Sequence, residues 1–217
     1  MPQLIGIYGA GGHGREIMSV AREQYARADV RLVFIDDNVA GSVGQINGQD
    51  VLAWQAFVEQ AGADASVSIA IADAVVREKL TDRCAEAGIS LCQIRAANVV
   101  VGDKVKIGDG AILQPFVTLT ADVRIGRGFH ANIYSSVSHD CVIGDFVTFA
   151  PGVRCNGNIH IENRAYVGAG AMLRQGTPHT PLVIGAGATI GMGAVVVKDV
   201  PPGVTVVGNP ARLLEKK

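Results

Sequence analysis

Residues 101–172 read, in blocks of six, VGDKVK IGDGAI LQPFVT LTADVR IGRGFH ANIYSS VSHDCV IGDFVT FAPGVR CNGNIH IENRAY VGAGAM. The first residue of every block is apolar or small, from Val101 and Ile107 to Ile161 and Val167. The beat continues at Leu173 and, after 11 residues instead of six, resumes at Ile184, Ile190 and Val196. A glycine follows the beat residue at Gly102, Gly108, Gly126, Gly144, Gly168, Gly185 and Gly191, and a small or β-branched residue usually stands four places after it. An α-helix repeats every 3.6 residues and a strand every two, so neither explains a strict six. Period six marks the hexapeptide parallel β-helix. Beat residues are expected to point inward, with three blocks forming one triangular coil of about 18 residues and coils stacking about 4.8 Å apart. Glycine after the beat suits tight corners, where a Cβ would be costly. The break after Leu173 should throw out Thr177-Pro178-His179-Thr180-Pro181 as a loop, either a tolerated excursion or a functional insertion.

Upstream of the repeat the pattern differs. Apolar Leu4–Tyr8 runs into Gly9-Ala10-Gly11-Gly12-His13-Gly14, and Arg15–Tyr25 reads as a helix. Arg31–Ile35 is a second strand closed by Asp36 and Asp37; Asn38–Gly48 reads as a loop. Ala53–Gln60, Ser66–Ala72, Asp73–Ala87 and Ile89–Ile94 then read as helix, strand, helix and strand, with Gly88 as a helix stop. This alternation predicts a small parallel α/β domain, with a boundary at 95/96 where the sixfold beat takes over.

The chain has 217 residues and a formal net charge of −1, a balance that selects neither nucleic acid nor an anionic membrane as partner. No apolar run approaches the roughly 18 residues of a membrane span, and no secretory leader is evident at Met1. Cys84, Cys92, Cys141 and Cys155 have neither CxxC spacing nor disulfide-scaffold density, so they are expected as free, mostly buried thiols in a cytoplasmic protein. Hydrophobic residues make up 48%, and flat prism faces of this composition are expected to self-associate.

Two places carry chemistry. Gly9, Gly11 and Gly14 match G-x-G-x-x-G at a strand-to-helix turn, where free backbone N–H groups and the helix dipole attract an anion such as a diphosphate. A tight turn that only packs helix on sheet is the alternative. Fewer than 100 residues precede the repeat, short for a two-halved dinucleotide domain, so a sugar nucleotide is favoured over NAD. Asp36 and Asp37 lie where such a ligand would meet the sheet's carboxyl edge, or else simply begin a solvated loop. The second place is His139-Asp140, where a carboxylate could orient a near-neutral base. On periodicity alone His130, His139 and His160 look alike, each a candidate surface side chain. The close histidine pair of a zinc-binding γ-class carbonic anhydrase has no counterpart here, so no metal is expected.

Together the Gly-Ala-Gly-Gly-His-Gly loop, the Ile-Asp-Asp strand end at residues 35–37, the His139-Asp140 pair and the closing Val206-Val207-Gly208-Asn209-Pro210-Ala211-Arg212 resemble the sialic acid O-acetyltransferase and nucleotide-aminosugar N-acetyltransferase family. Residues 129–136, 139–141 and 149–152 are similar to its GDP-perosamine N-acetyltransferase branch, which acetylates the 4-amino group of a nucleotide-linked 4-amino-4,6-dideoxy sugar for O-antigen assembly. The resemblance implies an α/β plus β fold: a Rossmann-like nucleotide-sugar-binding domain over 1–95 and a left-handed β-helix acetyltransferase domain over 96–217. It implies a homotrimer with active sites between subunits and acetyl-CoA as cosubstrate lying along the β-helix. By matching position, His139 is the general base and Asp140 its orienting acid. Asn132 lies near the acceptor sugar. Gly11, Gly12, His13, Asp36, Asp37 and Ala72 contact the nucleotide sugar, and Thr148, Ala169 and Met192 line acetyl-CoA. Thr148 departs from relatives that carry a second histidine there, so that histidine's role in binding the thioester does not transfer. Arg95-Ala96 likewise replaces a common His-Pro. Sialic acid O-acetylation and a non-catalytic β-helix scaffold are the rival readings.

Overall fold

In the computed structural model, which describes residues 2–214, the chain divides into two units. The first runs to Ala97 and takes in Asp109–Ile112; the second comprises Asn98–Gly108 and the chain from Leu113 onward.

The first unit is built on β1 (Gln3–Tyr8), which leads through the glycine loop into α1 (Gly12–Gln24). Then follow β2 (Val30–Ile35), β3 (Gln45–Ile46), β4 (Gln49–Leu52), α2 (Trp54–Gln60), β5 (Ser66–Ile69), α3 (Ala74–Glu86) and β6 (Ser90–Leu91). The sheet order is β3-β4-β2-β1-β5-β6, and β1 pairs in parallel with both β2 and β5. Leu4, Ile5, Ile7, Val33, Phe34 and Ile35 are all buried. Such near-continuous apolar runs are what a central parallel strand, covered on both faces, requires. Asp73 caps α3 by accepting from the Val75 and Val76 N–H groups, and Gly88 at φ +69° ends it.

Part of the expected loop 38–48 is instead ordered. Its end forms β3, which pairs antiparallel with β4 around Asn47 and Gly48, at φ 51° and 76°. Asn-Gly between short strands is the strongest short-range hairpin signal, because both residues tolerate the left-handed conformation the turn demands. The expected strand at 66–72 stops at Ile69, and of 89–94 only Ser90–Leu91 joins this sheet.

The second unit is a left-handed parallel β-helix of two- and three-residue strands in an eight-, a six- and a five-stranded sheet, one for each face of a triangular prism. Registers such as Thr118↔Ser136 and Phe149↔Val167 join residues eighteen apart, one coil. From Leu113 to Val196 every beat residue is buried, as are most residues four places on; Val101 and Ile107, in the first coil of the stack, are half-buried. His130 departs from the surface position expected of it, being only 1% exposed, while His160 is exposed.

A left-handed backbone recurs at the corners every six residues, three places after the beat: Lys104, Gly110, Phe116, Asp122, Gly128, Tyr134, Asp140, Phe146, Gly152, Asn158, Arg164 and Gly170. The glycines directly after the beat have a different reason. A Cβ on Gly102 would stand 1.9 Å from the Thr120 carbonyl oxygen of the next coil, and one on Gly126 2.7 Å from the Gly144 carbonyl carbon. They let one coil's backbone rest on the next. Cys84, Cys141 and Cys155 are buried and Cys92 half-buried, all four free.

Candidate active site

In the first unit the sheet topology gathers three segments. Because β1 lies between its parallel neighbours β2 and β5, the glycine loop, Asp36-Asp37 and the Ala70–Asp73 connection all leave the same carboxyl edge. Two glycines of the motif are required by the chain itself: Gly9 has φ +102°, and a Cβ on Gly14 would sit 1.8 Å from the Gly9 carbonyl oxygen. Gly11 and Gly12 have nothing within 4 Å of a Cβ and no left-handed φ. Gly11 caps α1 without a side-chain hydrogen bond, and the first turn holds no acidic residue, so its N–H groups face outward at the positive end of the helix. Burial holds the His13 imidazole below its ordinary value, against the raising influence of Glu16 at 3.6 Å.

Asp36 and Asp37 are already engaged. Asp36 accepts from the Ala10 N–H at 3.0 Å, tying β2 to the glycine loop, and from the Asn38 N–H. Asp37 accepts from the Trp54 N–H at 2.7 Å, the Arg83 guanidinium at 2.9 Å and the Tyr8 hydroxyl at 3.1 Å. Arg83 also lies over the Trp54 ring at 4.9 Å. Burial works to raise the Asp37 pKa, but these donors outweigh it and hold it below 3.8; burial and then Asp37 push Tyr8 up to about 12. Ala72 is exposed, and its carbonyl accepts from the buried Arg77, which also bonds Ile71. Tyr8, Trp54, Arg77 and Arg83 were not singled out in the sequence, where nothing local relates them to Asp37 or Ala72.

In the second unit, His139 and Asp140 form the corner between the six- and five-stranded sheets, with Asp140 in the left-handed conformation at φ 58°. This backbone turns the carboxylate toward its neighbour: His139 Nδ1 lies 2.8 Å from Asp140 Oδ2, with side chains 48% and 54% exposed. The main chain is pinned by the Asn158 N–H donating to the His139 carbonyl at 3.0 Å. Cys141 is buried behind the pair, its Sγ 4.0 Å from Cys155 Sγ. The contact with Cys155 holds Cys141 below the ordinary thiol range, while the same contact and burial push Cys155 well above it. The sequence had shown no such neighbour for Cys141.

The other predicted residues of this unit lie along a different edge, between the eight- and six-stranded sheets. Ala169 and Met192 occupy equivalent corner positions on successive coils, since Val167 pairs with Ile190; both are exposed. Thr148 is on a strand running into this edge but only 3% exposed. Asn132 begins an earlier turn of the edge, its Oδ1 accepting from Gln114 at 3.0 Å and its Nδ2 donating to the Phe149 carbonyl at 2.6 Å. Gln114, one coil back, holds the Asn132 amide and has no sequence signal beyond that spacing. Phe116 and Tyr134 stack at 4.7 Å along the edge, and Gly152, Gly170 and Gly193 continue their column. The Thr177–Pro181 excursion leaves the His139 edge two coils on, closed by reciprocal Thr177–Thr180 backbone hydrogen bonds. A cavity of about 640 Å³ lined by Val196–Pro201, Val206 and Ala211–Leu213 contains none of these residues. Among the described residues no group of histidine, cysteine and carboxylate side chains could hold a metal ion, and no helix is long and apolar enough to cross a membrane.

Hexapeptide coils bearing a carboxylate-held corner imidazole, preceded in the chain by a glycine-loop α/β unit, define a hexapeptide-repeat acetyltransferase. Residues 4–84 match the family described as the PglD N-terminal domain. Over 216 residues, 98% of this chain and 97% of the relative, the sequence is 48% identical to the GDP-perosamine N-acetyltransferase of Escherichia coli O157:H7. The chain belongs to that N-acetyltransferase family. The structure is similar to WeeI from Acinetobacter baumannii AYE, with a TM-score of 0.94 and 52% identity over 98% of this chain and 100% of that one. It is also similar to PerB from Caulobacter crescentus, solved with CoA and GDP-perosamine, with a TM-score of 0.84 and 27% identity over 97% of each chain.

Proposed function

We propose that this enzyme transfers the acetyl group of acetyl-CoA to the 4-amino group of a nucleotide-linked 4-amino-4,6-dideoxy sugar, GDP-perosamine or a close analogue, for surface-glycan synthesis. The observation that carries the reading is the 2.8 Å contact between His139 Nδ1 and Asp140 Oδ2 at an exposed corner. A proton on Nδ1, donated to the carboxylate, leaves Nε2 unprotonated as the base. The acceptor amine is largely protonated near neutrality and must lose a proton before it attacks. Once that proton has gone to solvent, Nε2 takes a second one as the neutral amine nitrogen bonds to the thioester carbonyl carbon; the C–S bond then breaks, and the imidazolium returns this second proton to the CoA sulfur. No covalent enzyme intermediate is needed, and Cys141, buried behind the pair, takes no part.

Residues 1–95 serve as the nucleotide-sugar domain and 96–217 as the acetyltransferase domain. The openness of Gly11 and Gly12 supports the first role: the chain's own packing does not require glycine there, whereas close approach of a diphosphate to the α1 N-terminus does. Asp36 and Asp37 act chiefly by holding the loops. Acetyl-CoA lies along the Thr148–Ala169–Met192 edge, where the aromatic column gives way to glycine, with Asn132 toward the acceptor. Thr148, though buried, lies on the strand that runs into this edge. Since His139 stands on another edge of the same prism, the reading requires a homotrimer in which one copy's His139 meets its neighbour's cofactor edge. His139→Ala should lower kcat by about 10²–10⁴-fold with the trimer intact, assayed as CoA release from GDP-, UDP- and dTDP-linked 4-amino sugars and from sialic acid. Near-normal turnover in that variant sinks the base assignment; preference for sialic acid sinks the amine.

A further inference from the structure

We propose that Gly157 is the seat of the catalytic imidazole: its missing side chain fixes where the His139 ring lies. The proposal rests on His139 being the base. Gly157 occupies, one coil on, the position equivalent to His139, and the Asn158 N–H following it holds the His139 carbonyl at 3.0 Å. A Cβ on Gly157 would stand 2.5 Å from His139 Cε1, 2.6 Å from Nε2 and 3.0 Å from Nδ1. The ring therefore lies over the Gly157 backbone, and its three nearest atoms fill the space a side chain would take. Other inter-coil glycines face backbone instead: Gly176 would meet the Asn158 carbonyl oxygen at 2.3 Å, and Gly168 the Met192 nitrogen at 2.6 Å.

This difference separates Gly157 from a structural glycine. Its φ lies outside the left-handed region, so an alanine is compatible with the backbone. The obstruction is the far end of a rotatable side chain that is about half exposed, so the ring swings aside and the coil stays intact. The 2.8 Å contact to Asp140 then lengthens, and Nε2 leaves its position. Asp140 sets the ring's rotation through Nδ1, and the bare Gly157 sets its height above the next coil. A misplacement of about 1 Å at a reacting atom costs on the order of 10²-fold in rate.

The test is a double-mutant cycle of wild type, Gly157→Ala, His139→Ala and the double variant, reading kcat, KM for acetyl-CoA, thermal midpoint and the His139 Cε1–H proton resonance. Gly157→Ala is expected to lower kcat by about 10- to 100-fold, to leave KM within about threefold, and to move the resonance. With His139 already alanine, the added methyl is expected to cost no further activity and no thermal stability, since nothing is left to displace. An equal loss of activity or stability in both backgrounds overturns the proposal, because Gly157 then acts independently of the ring; so does a Gly157→Ala enzyme with unmoved resonance and kcat. Should His139→Ala itself turn over normally, the base assignment fails, and the seating is decided by the resonance and the thermal cycle alone.

Discussion

Asp37 stands at the end of β2, where a ligand-binding carboxylate was expected, yet its oxygens are taken by the Trp54 N–H, Arg83 and Tyr8. These donors depress its pKa below the 3.8 of the unfolded chain. A depressed carboxylate stabilises the fold fully above its unfolded pKa, and the contribution disappears as pH falls through the lower folded value. Wild type should therefore lose stability relative to Asp37→Asn as pH is lowered below about 3.8. Urea midpoints of both proteins across that range check this, and parallel curves would remove the linkage. The sequence showed the strand end and its two aspartates because both are local features. It did not show the partners, since Arg83 lies 46 residues away and reaches Asp37 only once α3 has packed. His139-Asp140 was more legible: adjacent residues at a turn meet without help from the rest of the chain, although the turn's left-handed aspartate was invisible beforehand. Gly157 was not legible at all, because its significance lies in a ring eighteen residues earlier.

In the coils, the sixfold beat recurs because nearly every hexapeptide buries its first residue and turns a corner, so one physical requirement is written repeatedly. The two sorts of glycine it contains look interchangeable in sequence and are not. Gly102 is needed because the Thr120 carbonyl leaves 1.9 Å for a Cβ, whereas Gly170 has left-handed φ +68° and nothing within 4 Å. Gly102→Ala forces two coil backbones apart and should cost about 3 kcal/mol, the upper range for overpacking. Gly170→Ala incurs only the left-handed conformation, about 1–2 kcal/mol, in a column where Phe116 and Tyr134 already accept it. Thermal midpoints should rank Gly102→Ala well below Gly170→Ala, and the reverse order would contradict the coil-spacing account. The β3–β4 hairpin shows the opposite failure of reading: Asn47-Gly48 was a plain turn signal, hidden because strands of two and four residues carry too little apolar alternation to be noticed.

For the whole β-helix unit the arrangement of edges matters more than any one residue. His139 follows a strand of the six-stranded sheet, while Ala169 and Met192 follow strands of the eight-stranded sheet, so one prism presents the proposed base and the proposed cofactor edge on different corners. Closed threefold symmetry brings such unlike edges together, because a heterologous contact that closes a ring sets one corner of each copy against the next corner of its neighbour. In the trimer proposed above, the site is divisible. A chain carrying His139→Ala keeps a sound cofactor edge; a chain carrying Ala169→Trp keeps a sound base but has its edge filled. Each alone should be inactive. In trimers reassembled from an equal mixture, a site is whole when a tryptophan-bearing chain supplies His139 and a His139→Ala chain supplies the edge, a chance of one half for each place. About one quarter of wild-type kcat should therefore return on mixing, for random assembly of a closed ring. Active-site titration of the mixed trimers measures it, and no recovery after verified subunit exchange would mean that base and cofactor edge are used within one chain.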